Sequence, residues 1–260
     1  MESVLKSKTT LVSVVIPAYN EALLIRNTIK KIKAAIGEVV AWEERYEILV
    51  CDNNSTDDTR QIALAEGARV VFEPVNHIAK ARNAGAGEAR GEWLMFIDAD
   101  SYPTPCLMNQ LYSKIQDGRC IGYGSTIEVE NGTAFNRMRL ERLNPVFRLL
   151  NLCGGAFLVC QKETWQDIGG FDESLYAYED VDFVIKLKKY GRVMGREFEL
   201  LSNHPVVTSG RKGEYSLKAI ITLVVSNVWA PFVFLMSMVV PRSIIKRTGV
   251  RMLGYWYKGR

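Results

Sequence analysis

An α/β fold, built on a mainly parallel, Rossmann-like sheet with helices on both faces, is predicted by three features of the 260-residue sequence. Short β-rich runs alternate with segments of helical periodicity through the first hundred residues. Several of those runs are apolar at nearly every position, as strands covered on both faces must be. The runs also stop at polar loops, and in an open α/β sheet the loops after the carboxyl ends of the strands are where ligands bind.

Leu11–Ile16 reads as a buried first strand that Pro17 ends. A helix follows, with Asn20 as its cap, Glu21 in its first turn, and Leu24, Ile25, Thr28, Ile29 and Ile32 at helical spacing. Tyr46–Cys51 is a second strand, Asp52–Ser55 a polar loop, and Thr56–Ala65 a helix with Asp57 and Asp58 at its positive end. Arg69–Phe72 gives a third strand, Ala79–Arg90 a helix, and Glu92–Ile97 a fourth strand that ends at Asp98. Past Ser113 the alternation loosens into a weaker strand near Ile121–Glu130 and a basic, helix-like stretch over Phe135–Leu150. From Gly154 the order returns as a strand, a helix, a glycine turn and a second helix opening near Glu179, for which Gly191 is the expected C-cap.

Composition is that of an ordered globular protein, with 48% apolar and 24% charged residues, so wholesale disorder is excluded. The length suits one α/β domain with an appendage. Cys51, Cys106, Cys120, Cys153 and Cys160 are odd in number and widely spaced, which fits neither a disulfide framework nor a zinc site and suggests a reducing compartment. Residues 1–10 are polar and lack the apolar stretch of a secretory signal.

The C-terminal end is different in character. Residues 219–240 carry no charge and are long enough to cross a bilayer, but Asn227 and Pro231 near the middle and basic flanks on both sides argue against a simple span. A re-entrant or interfacial helical appendage on the cytoplasmic face is the expectation; a helix buried against the rest of the protein is the alternative. Arg242, Lys246, Arg247, Arg251, Lys258 and Arg260 follow without an acid, and Tyr255, Trp256 and Tyr257 direct this basic tail toward a membrane surface rather than nucleic acid.

The chemistry concentrates at Asp98-Ala99-Asp100. Two carboxylates at the end of a buried strand repel unless a cation lies between them, and Mg2+ or Mn2+, which take oxygen ligands and substrate phosphates, suit the pair. On these three residues alone, helix capping is an equal alternative.

Four blocks in order, SVVIPAYNE, EILVCDNNSTDDT, ARNAGAGEARGEWLMFIDAD and GGFDESLYAYEDVDFVIKL, resemble the family-2 glycosyltransferases across roughly residues 11–190. The resemblance implies a GT-A type fold over residues 1–215, with 216–260 as the membrane-associating segment, and an inverting transfer of sugar from a nucleoside diphosphate to a hydroxyl acceptor. It implies that Pro17, Ala18, Tyr19 and Glu21 lie against the nucleoside. Asp52-Asn53 stands where the family commonly has two acids, the second reading the base; an amide both donates and accepts, so a uridine donor does not follow. Lys80, Arg82 and Asn83 would lie beside the diphosphate, Asp98 and Ala99 beside the ribose or a metal-bound water, and Asp100 on the metal.

By the same resemblance Glu179-Asp180 is the family's acidic pair, with Asp180 as general base, while Asp182 reads better as a helix N-terminal acid. Gly154 and Gly155 would let the donor sugar approach the backbone. His204 is a candidate further metal ligand, although a lone histidine is more often structural. Arg211, with Lys212, either closes over the diphosphate or begins the basic region. A lipid-linked acceptor fits a membrane-facing tail by association. Two other functions compete: a nucleotidyltransferase, which would need a glycine-rich basic loop after the first strand where PAYNEALLI stands, and an inactive membrane-tethered sugar-binding protein, which would have lost the acids.

Overall fold

The computed structural model describes residues 11–39, 42, 45–130, 134–176 and 178–209. Strands β1 (Val12–Ala18), β2 (Tyr46–Asp52), β3 (Arg69–Phe72) and β4 (Trp93–Ile97) alternate with helices α1 (Ile25–Gly37), α2 (Thr59–Ala65) and α3 (Ile78–Glu88). The chain continues through β5 (Ser101–Tyr102), α4 (Pro105–Asp117), β6 (Cys120–Glu130), α5 (Ala134–Leu150), β7 (Phe157–Gln161), α6 (Lys162–Asp167), α7 (Glu179–Val193) and β8 (Glu197–Ser209).

All eight strands form one sheet in the order β3-β2-β1-β4-β7-β6-β8-β5. The first four are parallel, but β7 runs antiparallel to both β4 and β6, and β5 runs antiparallel to β8. The expectation of a mainly parallel sheet is therefore corrected to a mixed one. Alternating strands and helices signalled the parallel half, whereas the direction in which the chain re-enters after β6 and α5 leaves no mark on hydrophobic periodicity.

Alternation along the central strands divides the core between the two faces. Val12, Val14 and Ile16 of β1, Ile48 and Val50 of β2, and Met95 and Ile97 of β4 join one cluster with Ile25, Ile29, Ile32 and Ile36 of α1 and Leu107, Met108 and Leu111 of α4. Val15, Leu49, Cys51, Leu94 and Phe96 join the other, with the alanines of α3 and with Phe183, Val184 and Leu187 of α7. Four of the five cysteines are buried, and burial pushes the Cys51 thiol up to about 12, so it packs as a protonated apolar group.

The close fit of α3 to the sheet depends on Gly85. A Cβ there would overlap Cys51 Sγ and come within 2.6 Å of Val15 Cγ1, both fully buried. Gly85→Ala should therefore destabilise the fold by about 1–3 kcal/mol despite its better helix propensity, measured by urea denaturation. An unchanged midpoint would mean that α3 shifts freely.

The local structure differs from the sequence expectation at several points. Pro17 does not end β1, which runs on to Ala18; pairing with β4 has stopped at Val15, and a missing N–H is tolerated where only β2 flanks the strand. Asn20 does not cap α1. It adopts a left-handed φ of 53°, and its side-chain oxygen accepts from the Thr56 N–H at 2.8 Å, while α1 opens four residues beyond Glu21. Gly191 lies inside α7, which runs on to Val193, instead of capping it; the position suits glycine because the Arg196 carbonyl packs where a Cβ would be. Helix α4 is marked at both ends by its sequence: Thr104 accepts from the Leu107 N–H, Pro105 opens the helix, and Gly118 closes it at φ 66°.

The predicted apolar appendage at residues 219–240, the basic tail, and Arg211 with Lys212 lie outside the described residues. Among the described residues, no helix is long and apolar enough to cross a membrane.

Candidate active site

Parallel strands β1, β2 and β4 all end at the same edge of the sheet, at Ala18, Asp52 and Ile97. Because β7 is antiparallel to β4 and begins at Phe157 opposite Ile97, the segment just before β7, with Gly154 and Gly155, meets that edge as well. Topology thus brings together loops far apart in sequence. The N-terminus of α7 completes the group. Tyr178, at its N-cap, takes the left-handed φ of 61°, a conformation disfavoured for a residue with a large side chain and concentrated at functional sites. Glu179 and Asp180 follow at once.

Arg82 of α3 is the centre of this arrangement. Its guanidinium is fully buried, donates from Nη1 to Glu179 Oε1 at 2.6 Å, and donates from Nη2 to Asp98 Oδ1 at 3.0 Å. A single side chain therefore ties the strand-end acids to the helix-end acids. Gly155 makes room for it: a Cβ at this position would fall on the guanidinium. The space left by this glycine is thus filled by an arginine of the protein itself. The Gly155 N–H donates to Asp180 Oδ2 at 2.6 Å, and the Val181 N–H donates to Asp180 Oδ1 at 2.8 Å. Both oxygens of Asp180 are thereby oriented from the backbone.

The electrostatics follow from one cation shared among several acids. Burial alone would disfavour the charged guanidinium, but Glu179, Asp98 and Asp180 outweigh it and hold Arg82 firmly protonated. Glu179 is left short of positive charge. Its own burial first, and the neighbouring Asp180 second, outweigh Arg82 and push its carboxyl up to about 7. Between about 4.5 and about 7 the folded protein then retains a proton that the unfolded chain has released, so this group's contribution to stability is lost as pH rises through that window. Wild type should accordingly lose stability relative to Glu179→Gln between pH 4.5 and 7 in stepwise denaturation titrations. A constant difference across the window would rule the raised value out.

Asp100 is nearly buried and is held by a different partner, the last strand. Ser101 Oγ, Thr208 Oγ1 and Ser209 Oγ donate to its carboxylate at 3.2, 3.4 and 3.3 Å, and the Ser209 N–H donates to its backbone carbonyl at 2.9 Å. Thr208 and Ser209 were not anticipated, since β8 reaches Asp100 only through its pairing with β5, more than a hundred residues earlier. Their only sequence signal is two hydroxyl residues just ahead of a glycine. His204 sits farther back on β8, in an irregular stretch where five β8 steps match two of β6, and its carbonyl accepts from Ser125 Oγ at 3.2 Å.

As donors for Mg2+ or Mn2+, Asp98 and Asp100 fit. Both offer hard carboxylate oxygens, and cations of this type commonly take one or two protein carboxylates and complete their shell with substrate phosphates and water. Among the described residues no group of three or more His, Cys, Asp or Glu side chains is placed to hold a metal, so substrate oxygen would have to complete the shell.

At the loops after β1 and β2, the Ala18 carbonyl accepts from the Asn53 N–H at 2.8 Å, and the Glu21 N–H donates to Thr59 Oγ1 at 2.8 Å. Tyr19 is half-buried at the same loop, and Asp52 Oδ1 accepts from the Ser55 N–H at 3.0 Å. Asn53 is committed to neighbouring backbone: its Nδ2 donates to the Val75 carbonyl at 2.5 Å and its Oδ1 accepts from the His77 N–H at 2.8 Å. Its amide thus fastens the loop leading into α3. Asn83 does similar work, donating to the Phe171 carbonyl and accepting from the Phe171 N–H. Lys80 lies 3.9 Å from Glu173, and the Ala99 carbonyl accepts from Thr28 Oγ1 at 2.7 Å. Asp182 pairs with Lys186 at 2.9 Å on the same helix, the arrangement expected of a helix N-terminal acid.

Comparison with known proteins agrees with this architecture. A glycosyltransferase from Haloferax volcanii, AglE, is 26% identical over 206 residues, covering 75% of this chain and 66% of its own length. The hyaluronan synthase of Pasteurella multocida is 25% identical over 201 residues, which is 72% of this chain and 19% of that protein. This chain therefore spans between a fifth and two thirds of the length of these curated relatives. Among solved structures, the mannosyltransferase PcManGT from Pyrobaculum calidifontis, in complex with GDP-Man and Mn2+, superposes with a TM-score of 0.61 at 20% identity, covering 78% of this chain and 57% of that one. S. aureus TarS 1-349 gives 0.60 at 19% identity over 84% and 66%. These likenesses show the GT-A-like α/β fold. The glycosyl transferase family 2 profile matches residues 13–175, more than half of the chain, and the protein belongs to that family.

Proposed function

We propose that this protein is an inverting glycosyltransferase that moves a sugar from a nucleoside diphosphate to an acceptor hydroxyl in a single displacement, with Asp180 as general base. The observation that carries this reading is Arg82, which joins Asp98 on the donor side to Glu179 beside the proposed base through one buried guanidinium. Proton acceptor and phosphate-side acids are thereby held in one rigid unit. Preorganisation of this kind is what a single displacement requires, because attack and departure occur together on opposite faces of the anomeric carbon.

Asp98 and Asp100 would hold a Mn2+ or Mg2+ ion, which would supply positive charge to the departing diphosphate. The remaining work falls to the chain. Asp180, oriented by the Gly155 N–H, accepts the proton of the acceptor hydroxyl as its oxygen bonds to the anomeric carbon. The bond from that carbon to the phosphate oxygen breaks, and its electron pair leaves with the diphosphate. Arg82 keeps the surrounding acids in place and limits their mutual repulsion. Pro17, Ala18, Tyr19, Glu21 and Asp52 line the nucleoside side in this reading, with Lys80 near the phosphates and Gly154 toward the sugar. His204 and Arg211 remain candidates for a metal ligand and a phosphate contact.

An acceptor carried on lipid, and a location at the cytoplasmic face of a membrane, belong to the same proposal. They rest on residues 216–260, whose uncharged stretch and basic tail suit an interface. A panel of nucleotide sugars incubated with manganese tests the reaction. Slow release of a nucleoside diphosphate from one donor is expected. Release of monophosphate and pyrophosphate from nucleoside triphosphates would instead identify a nucleotidyltransferase, and no turnover of any donor with any acceptor would leave a binding protein.

A further inference from the structure

We propose that Phe171 is a positioning residue of the site: its ring holds the guanidinium of Arg82 and so fixes the acids that Arg82 joins. The proposal rests on the roles given above to Asp98 and Asp180. Arg82 donates from Nη1 to Glu179 and from Nη2 to Asp98, whereas its Nε, also buried, has no hydrogen-bond partner among the described residues. Hydrogen bonds therefore satisfy the guanidinium only in part. The ring of Phe171 lies against it, with Arg82 Cζ 5.3 Å from the ring centroid. A cation over an aromatic face is attracted by the ring quadrupole, most strongly where both are out of water. Arg82 and Phe171 meet that condition, each being 2% exposed.

The ring is itself fixed from several sides. Asn83, next to Arg82 on α3, donates to the Phe171 carbonyl at 2.9 Å and accepts from the Phe171 N–H at 3.0 Å. Phe183 stacks on the ring at 4.3 Å with an interplanar angle of 17°, and Phe96 meets it edge-on at 4.9 Å and 85°. Aromatic pairs in these arrangements prefer a defined geometry, beyond the area they bury.

Each of these partners stands close to a residue of the site on its own element. Phe96 is in β4, two positions ahead of Asp98, and Phe183 is in α7, three positions after Asp180 and so about one helical turn on. Asn83 adjoins Arg82. One side chain thus links the strand and the two helices whose charged groups meet at this edge of the sheet, and a displacement of about 1 Å among such groups can cost a hundredfold in rate. Packing alone would also call for a large apolar residue at position 171. It would not call for an electron-rich face toward Arg82.

Fluorination separates the two roles, because it withdraws electron density from the ring face while nearly keeping the shape. With 3,5-difluorophenylalanine and then pentafluorophenylalanine at position 171 of the full chain, kcat for the donor turned over in the manganese panel should fall stepwise, by about tenfold in all, with KM and the urea midpoint unchanged. Constant kcat across the series, in a protein that Asp180→Asn inactivates, would overturn the proposal and leave the transfer reading intact. Turnover that Asp180→Asn does not slow would remove the reading of the base, and this proposal with it. If no donor of the panel is turned over, the Arg82 Hε resonance decides: the ring should hold it upfield in wild type, and Phe171→Leu should move it downfield. An unmoved resonance would show that the ring does not support Arg82 and would overturn the proposal as well.

Discussion

Asp180→Asn should leave the nucleotide sugar bound while slowing its transfer by about 10²–10⁴-fold, the range spanned by positioned general bases. The substitution is nearly isosteric, and its amide oxygen can still accept from the Gly155 N–H that orients Asp180 at 2.6 Å. What disappears is the capacity to take a proton, together with the oxygen that accepts from the Val181 N–H at 2.8 Å. Donor affinity by calorimetry and transfer by steady-state kinetics separate the two effects, since loss of an interaction made only in the transition state lowers kcat without weakening the ground state. If affinity and turnover fell together, Asp180 would have to be read as a structural support of the Gly154-Gly155 segment.

The second large effect is expected at Arg82. Removal of one partner from a buried ion pair typically costs about 3–5 kcal/mol, because the other charge remains buried without compensation. Arg82→Met preserves much of the apolar stem but deprives Glu179 and Asp98 of the guanidinium at 2.6 and 3.0 Å. Stability by urea denaturation should fall by that order. The double variant Arg82→Met with Glu179→Gln should recover part of the loss in alkaline buffer, where Glu179, already raised to about 7 with the guanidinium in place, would otherwise be driven to ionise without a partner. Equal stability of the single and double variants would show that the pair is not energetically coupled. Arg82→Lys is not a conservative alternative: an ammonium cannot span two carboxylates with the planar fork that Arg82 uses.

Several of the residues that matter were legible in the chain itself. Asp98, Asp100, Glu179, Asp180 and Arg82 stand in blocks whose order and spacing carry the family resemblance, and the short strands before them are defined by apolar runs. Less was legible wherever long-range pairing sets the environment. Asn53 resembled a base-reading position, yet both ends of its amide are bonded to the backbone of residues 75–77. Gly155 resembled a space left for substrate and proves to be filled by Arg82. Thr208 and Ser209 carried almost no signal, because their role depends on a strand pairing that joins residues more than a hundred positions apart.

The sequence by itself determined the local elements of the parallel half, the membership of the family, and the identity of the acids, since hydrophobic periodicity and ordered motifs are properties of short segments. Tertiary structure decided the mixed direction of the sheet, the convergence of β4, the segment before β7 and the start of α7 on one edge, and the sharing of a single guanidinium by acids from two of them. The physical reason is that strand direction and charge pairing are settled by which distant segments fill the same space, and close packing admits one such arrangement without recording it in the spacing of residues along the chain.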